Sequence, residues 1–295
     1  MAKVAVVRNP VSGRSRLASK WLAIQESLEG MYGNVEYFET AGPGDATSLA
    51  RGAVQKGAEI VLAVGGDGTI THVANGIIGT GATLGVIPSG TGNDLCRTLE
   101  IGTSVEGALE VLSKGNTCAI DVGKWRTDEG EGYFLNIAGM GFDAAVADRI
   151  NRGFRHLHGI SAYLAAVVTT LARFKARTLT VTVDGKSIQE RIMLAAIANA
   201  KCYGGGMLVA PMATVTDGML DVILVRKLGR LAFLTAFPRV FKGSHISHPA
   251  VLHLEGKRVR LEPEDKEPFL IDGELTPCRW AEIEVLPGAL RVIAP

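Results

Sequence analysis

The 295-residue sequence predicts a three-layer α/β domain followed by a mainly β domain, a sandwich or barrel. Up to about Trp125, apolar runs alternate with stretches of helical spacing, the pattern of a sheet covered on both faces. Beyond a polar, Gly-containing link at Arg126–Gly132, short runs of strand-forming residues follow one another with turn residues between them. The expected boundaries are 1–127 for the α/β domain, with 286–295 able to complete it, and 128–285 for the β-rich domain.

Taken in order, Lys3–Arg8 is an apolar first strand, and Arg14–Leu28 places Leu17, Trp21, Ile24 and Leu28 at helical spacing. Val35–Glu39 reads as a second strand, and Asp45 as the cap of a helix running to about Lys56. Ile60–Val64 is wholly apolar, as in a parallel sheet buried on both faces, and a helix is expected from Thr69. Thr83–Ile87 repeats the arrangement; a helix over about Val105–Lys114 then leads to a strand at Thr117–Val122. In the second domain, strands are expected at Tyr133–Ile137, Leu179–Asp184, Ile192–Asn199, Leu220–Val225, Ala250–Leu254, Arg258–Glu262 and Phe269–Asp272. A last strand falls at about Leu290–Ile293, and two helical stretches, Gly159–Lys175 and Leu231–Phe241, interrupt the series.

Composition narrows the classes. A net charge of +1 gives no electrostatic footprint for nucleic acid. Cys96, Cys118, Cys202 and Cys278 lie far apart without a CxxC pair, so the expectation is reduced thiols in a cytoplasmic protein rather than a zinc site or disulfide framework. The apolar run at the N-terminus is too short for a secretory signal. The most apolar stretch, Ile160–Ala172, falls short of the ~20 residues that span a bilayer.

Chemistry concentrates in loops that follow strands. In Gly65-Gly66-Asp67-Gly68-Thr69, glycines let backbone approach a phosphate, and the helix behind offers free N–H groups and a positive dipole end. The central aspartate suits an anion-binding loop only if a cation or bound water joins it. The second loop, Pro88-Ser89-Gly90-Thr91-Gly92-Asn93-Asp94, has the same placement and adds hydroxyls and another carboxylate. Asn9-Pro10-Val11-Ser12-Gly13-Arg14 follows the first strand, and the three loops can converge at the carboxyl ends of the strands. Neither a Walker A sequence nor a strand-linked GxGxxG is present.

These motifs, with Asp272-Gly273-Glu274 and the stretch Asn136–Asp143, resemble in order and spacing the diacylglycerol kinase catalytic-domain family, over essentially the whole chain. Its bacterial members are soluble lipid kinases, and sphingosine and ceramide kinases share the domain. The resemblance implies an NAD kinase/phosphofructokinase-like nucleotide-binding domain and a C-terminal β-sandwich. It implies ATP contacts at Asn9, Ser12, Gly13, Thr40, Gly65, Gly66, Asp67, Gly68, Thr69, Ile70, Thr71, His72, Asn75, Gly90, Thr91 and Asn93. It further implies catalytic Mg²⁺ held, in part through water, by Asp67, Asp94 and Asp121; Asp121 is equally read as a turn former. Asp272 or Glu274 would face the nucleotide and take the proton of the lipid hydroxyl, although Asp-Gly is also a hairpin turn. Asp217, with the carbonyls of Thr214 and Met219, resembles a structural Mg²⁺ loop, or else forms an Asp-Gly turn.

The lipid side is the least legible. Arg149, Arg152, Arg155, His156 and His158 precede the apolar stretch, Arg173, Lys175 and Arg177 follow it, and Arg226–Lys242 is also basic and apolar. Such segments lie at an anionic bilayer surface or pack as helices with solvated ends. The expected activity is transfer of the ATP γ-phosphoryl group to a lipid hydroxyl, most simply diacylglycerol, by a cytoplasmic enzyme able to touch the inner face of the membrane. Phosphatidylglycerol, ceramide, a sphingoid base or NAD as acceptor, and a non-catalytic nucleotide-binding regulator, are the alternatives. The oligomeric state stays open, a homodimer among the options.

Overall fold

The computed structural model describes residues 2–13, 17–153 and 160–295, with the backbone alone at 18, 151–153 and 160–164. The chain forms two compact units. The first comprises Met1–Val122, Gly204–Gly206 and Pro287–Pro295, and the second Gly123–Tyr203 and Met207–Leu286.

The first unit is built on β1 (Val4–Arg8), α1 (Trp21–Tyr32), β2 (Val35–Glu39), α2 (Asp45–Gln55), β3 (Ile60–Gly65), α3 (Asp67–Ile77), β4 (Thr83–Pro88), α4 (Asp94–Thr98), α5 (Val105–Lys114) and the start of β5 (Thr117–Thr127). Its sheet is parallel: β1 pairs with β2 and β3, β3 with β4, and Arg291–Val292 of the last strand with Thr83–Leu84. Val61, Leu62, Ala63, Val64, Leu84, Val86 and Ile87 are buried, which explains the unbroken apolar runs. Ser104 caps α5 by accepting the Gly107 N–H, and Gly115 closes it in the left-handed region.

Local differences from the sequence expectation have physical causes. The first helix begins at Trp21 after a 3-10 turn at Ala18–Lys20 and runs on to Tyr32, where Gly33 (φ 79°) ends it; Arg14 lies outside the described residues. Asp45 does not cap its own helix, because its carboxylate accepts the N–H groups of Ala41 and Gly42 and ties down the preceding loop. The helix after β3 starts at Asp67 rather than Thr69, and the short α4 was not expected.

The second unit is a β-sandwich. Its elements are β6 (Glu131–Phe134), β7 (Ile137–Gly141), α6 (Phe142–Gly153), α7 (Ile160–Leu171), β8 (Arg177–Val183), β9 (Lys186–Ala198), β10 (Leu220–Arg226), α8 (Arg230–Ala236), β11 (Val251–Gly256), β12 (Arg258–Pro263), β13 (Glu267–Ile271), β14 (Glu274–Cys278) and β15 (Ala281–Ile293). Strand β9 serves both sheets: Lys186–Ile192 pair with β8, while Leu194–Ala198 lie between β7 and β10. One sheet thus runs β14-β13-β7-β9-β10-β11 and the other β9-β8-β12-β15. Phe134, Val181, Ile197, Val222, Leu261, Phe269 and Ile283 fill one core with contributions from both sheets. Phe142, Val146 and Leu171 of α6 and α7 gather with Met193 and Phe233 in a second cluster.

Two expectations fail here. Arg126–Gly132 is no linker, because β5 continues to Thr127 and turns into β6, with the Thr127 N–H bonded to the Gly130 carbonyl. The strand expected at Tyr133–Ile137 is broken at Leu135–Asn136, whose N–H groups go to a side chain described below. Helix α6, strand β14 and the length of β15 were not anticipated.

Candidate functional site

In the first unit the pairing register brings the loops together. Arg8 opposes Val64 and Gly65 opposes Pro88, so the segments leaving β1, β3 and β4 emerge side by side. The Asn9 carboxamide oxygen accepts the Val11 N–H, shaping its own loop, and its nitrogen donates to Thr69 Oγ1 at 3.2 Å. Ser89 Oγ donates to Ser12 Oγ at 3.0 Å. Closest packing is backbone on backbone: a Cβ added at Gly90 would lie 2.6 Å from the Gly66 Cα, so only glycine lets these two loops touch. Asn93, at φ 51°, accepts the Gly90 N–H and donates to the Gly90 carbonyl, both at 3.0 Å, which closes the second loop on itself.

The carboxylates sit at this junction. Asp67 Oδ1 accepts the Asp94 N–H at 2.6 Å, at the start of α4. Asp94 Oδ1 and Oδ2 accept the N–H groups of Gly206 and Gly205 at 2.7 and 3.0 Å. A Cβ on Gly92 would meet both Asp67 Oδ2 and Asp94 Oδ2, at 2.7 and 3.0 Å, so the two groups flank one glycine. Burial first, and then the neighbouring charge of Asp94, raise the Asp67 carboxyl above its ordinary value. One buried and one half-buried carboxylate that repel each other are all-oxygen donors of the kind a hard divalent cation relieves. Asp121 is engaged elsewhere: its Oδ1 accepts the Gly288 N–H at 2.8 Å, and it forms no direct ligand cluster with Asp67 and Asp94 among the described residues.

The other expected nucleotide positions divide. Gly13 (φ 66°) packs against the Ser89 carbonyl, and Gly68 in the first turn of α3 faces open space. Thr40 donates its N–H to the Arg8 carbonyl beside the first loop, and Thr91 is exposed. Thr71 and Asn75 lie along α3, joined by a 2.8 Å hydrogen bond, and the His72 carbonyl accepts the Thr47 hydroxyl. Ile70, also among the expected contacts, has its side chain buried in the core and its N–H taken by the Gly66 carbonyl. Gly205 and Gly206 were missed, although the run Gly204-Gly205-Gly206 was a visible signal of unusual backbone.

In the second unit, Asp272 and Gly273 form a two-residue hairpin with both φ positive, at 45° and 95°. Asp272 Oδ2 accepts the Leu135 N–H, and Oδ1 those of Asn136 and Ile137, at 2.8, 3.0 and 3.1 Å. Its carboxylate is thereby the anchor of the break between β6 and β7, whereas Glu274 is exposed at the head of β14. Asp217 accepts the Met219 N–H in an Asp-Gly turn, and Thr214 is exposed beside it. Nearby, Asp221, His253 and Glu255 bring ligand atoms within 4.8 Å of one another, with His253 Nε2 at 2.6 Å from Asp221 Oδ1. A cavity of about 90 Å³ is lined by Phe142, Met207, Phe233 and Phe237 and by one acid, Asp143. Burial pushes the Asp143 carboxyl up to about 6, and Tyr203 donates its hydroxyl to it at 3.1 Å. Arg155, His156 and His158 lie outside the described residues, as does the side chain of Arg152.

A parallel α/β unit with paired glycine loops and two neighbouring aspartates, followed by a β-sandwich with an apolar cavity, defines the class: a kinase with an apolar acceptor. Comparison with known proteins makes this specific. Residues 3–125 match the diacylglycerol kinase catalytic domain, and residues 136–294 the YegS C-terminal NAD kinase beta sandwich-like domain. A diacylglycerol kinase of Mycobacterium tuberculosis (strain ATCC 25618 / H37Rv) is 33% identical over 100% of this chain and 96% of its own length. One from Bacillus subtilis (strain 168) is 28% identical over 100% and 97%. The crystal structure of a Bacillus anthracis diacylglycerol kinase shares the fold, with a TM-score of 0.76 at 23% identity over 99% of this chain and 97% of that one. The chain belongs to the diacylglycerol kinase family and is an ATP-dependent lipid kinase. No helix among the described residues is long and apolar enough to cross a membrane.

Proposed function

We propose that the protein transfers the γ-phosphoryl group of ATP to the free hydroxyl of diacylglycerol, giving phosphatidic acid and ADP, in the cytoplasm at the membrane surface. The observation that supports this most is the backbone contact of the Gly65–Thr69 and Pro88–Asp94 loops with Asp67 and Asp94 at their junction. The N–H groups of the first turn of α3, with Asn9, Ser12, Gly13, Gly66, Gly68 and Thr91 around them, are assigned to the ATP phosphates. Asp67 is the Mg²⁺ ligand and Asp94 its oriented neighbour; Mg²⁺, when bound, neutralises charge on the phosphate oxygens.

The bond from the γ-phosphorus to its bridging oxygen breaks and one to the lipid oxygen forms, while the hydroxyl proton passes to a carboxylate. Glu274 is assigned that proton. Asp272 already accepts three backbone N–H groups and serves as the positioning residue that fixes the hairpin. The Phe-lined cavity closed by Asp143 and Tyr203 suits an acyl chain. The test is a lipid-panel assay with labelled ATP and Mg²⁺ in mixed micelles. Label in phosphatidic acid is expected; label in another lipid alone would replace the substrate, and label in none would remove the reading.

A further inference from the structure

The edge of the β-sandwich carries a cluster of ligand-type side chains that the phosphoryl-transfer reading leaves unused. Among the described residues β11 pairs with β10 alone, so it is an edge strand, and its register sets Asp221 of β10 directly opposite Glu255. Side chains alternate across a strand, and Leu252 and Leu254 of β11 pack on the sandwich core with Leu220 and Val222 of β10. His253, Glu255 and Asp221 therefore share the other face. Their ligand atoms all lie within 4.8 Å of one another, the one such group of three among the described residues. His253 Nε2 stands 2.6 Å from Asp221 Oδ1 and 3.8 Å from Glu255 Oε1.

Charge is out of balance here. Asp221 is 5% exposed and Glu255 is exposed, and neither pairs with a lysine or arginine among the described residues. Like charges set directly opposite each other across a strand pair destabilise it. Burial raises the Asp221 carboxyl, His253 pulls it back, and the like charges of Glu255 and Asp217 raise it again. One imidazolium can offset only one of these three carboxylates.

We propose that Asp221, His253 and Glu255 form a binding site for a divalent transition-metal ion of the zinc type, which clips the edge strand β11 to β10. Tetrahedral ligands at about 2.0–2.2 Å from such an ion stand about 3.3 Å apart. That spacing falls between the 2.6 and 3.8 Å that separate Nε2 from the two carboxylates, so small side-chain rotations admit the ion, with water at the fourth position. An imidazole nitrogen among the donors selects against Mg²⁺ and Ca²⁺, which prefer oxygen. The set thereby differs from the loop of Thr214, Asp217 and Met219, whose expected donors are all oxygen. Neutral imidazole and ionised carboxylates are the binding forms, so the ion competes with protons and binds more weakly in acid. The strand it steadies begins at Val251, which lines the apolar cavity, so the clip holds one wall of that cavity in place.

The test is equilibrium dialysis of the native protein, first stripped of metal with a chelator, against Zn²⁺ in a large excess of Mg²⁺, with bound zinc counted per chain. A single tightly held equivalent is expected. Glu255→Gln, at an exposed position, and His253→Gln should each bind at least about tenfold more weakly, while Asp217→Ala should bind as the native protein does. In melting curves, Zn²⁺ at about a hundred times its dissociation constant should raise the native midpoint by about 5 °C or more. It should move Glu255→Gln much less. Without metal, Glu255→Gln should melt with the native protein or above it, since one of two facing charges is gone. No zinc retained by the native protein would leave an ordinary His253–Asp221 ion pair and overturn the proposal. Undiminished zinc binding by folded Glu255→Gln, or binding lost in Asp217→Ala, would also overturn it, because the ion would then sit elsewhere.

Discussion

The candidate site of the first unit is made largely of backbone, and that of the second of side chains brought from distant parts of the chain. Around Gly66, Gly90 and Gly92 the decisive fact is the missing Cβ, which lets neighbouring loops touch and leaves Asp67 and Asp94 flanking one residue. Around the cavity of the second unit, Asp143 from α6 meets Tyr203, sixty residues on, and the walls come from α6, β9, β10, α8 and the segments beyond it. A backbone site is written as a contiguous motif with glycine at fixed places. A side-chain site leaves only scattered residues, each of which an ordinary core position would also explain.

Substitutions sharpen that contrast. The largest effect is expected from Asp67→Asn, which keeps an oxygen for the Asp94 N–H and removes one of two repelling charges. Turnover should fall on the order of 10²-fold or more, while thermal stability holds or rises. Near-normal turnover would remove Asp67 from the site.

The pair Glu274→Gln and Asp272→Ala separates chemistry from scaffolding. Glu274→Gln should lower turnover roughly 10²-fold with an unchanged melting curve. Asp272→Ala should lower stability, because three backbone N–H groups lose their acceptor at a cost of roughly 1–3 kcal/mol each where buried. If Asp272→Ala melts like the native protein, the assignment of roles to the two carboxylates is wrong.

Gly90→Ala tests the backbone contact alone. The added methyl meets the Gly66 Cα, so nucleotide affinity should drop about tenfold or more in equilibrium binding with little effect on the distant β-sandwich core.

A pH dependence is expected at the cavity of the second unit. With the Asp143 carboxyl pushed up to about 6 in the folded chain, against about 3.9 for an ordinary aspartate, the folded state keeps a proton that the unfolded state loses between those values. Its contribution to stability is present below the lower value and lost as pH rises through the upper one. Asp143→Asn abolishes this, so its stability relative to the native protein should climb by up to about 3 kcal/mol from about pH 4 to pH 7 and then level off. Parallel denaturation curves across that range would contradict the burial argument.

The same contrast explains what the sequence revealed. Ile60–Val64 and Thr83–Ile87 could be read as buried parallel strands because burial on both faces leaves no polar residue beyond Thr83 at the start of the second. The helix α5 was bounded correctly because Ser104 and Gly115 punctuate it. Hidden were interactions across long separations. Asp272 interrupts a strand at Leu135–Asn136 from 136 or 137 residues away, and the Gly205 and Gly206 N–H groups hold Asp94 from more than a hundred. Asp45 looked like a cap because residue type shows only that a carboxylate wants N–H donors, not which ones it finds. Ile70 lies in the segment expected to contact nucleotide but points into the core, a direction that helix phase sets and a linear motif does not show.

The central claim is that Asp67 and the glycine loops serve phosphoryl transfer to diacylglycerol. It is tested most directly by incubating the native protein and Asp67→Asn with γ-labelled ATP, Mg²⁺ and diacylglycerol in mixed micelles, then resolving the lipids. Label in phosphatidic acid with the native protein, and its near absence with Asp67→Asn, is the predicted result. Equal labelling by both proteins, or label confined to water-soluble products, would contradict it.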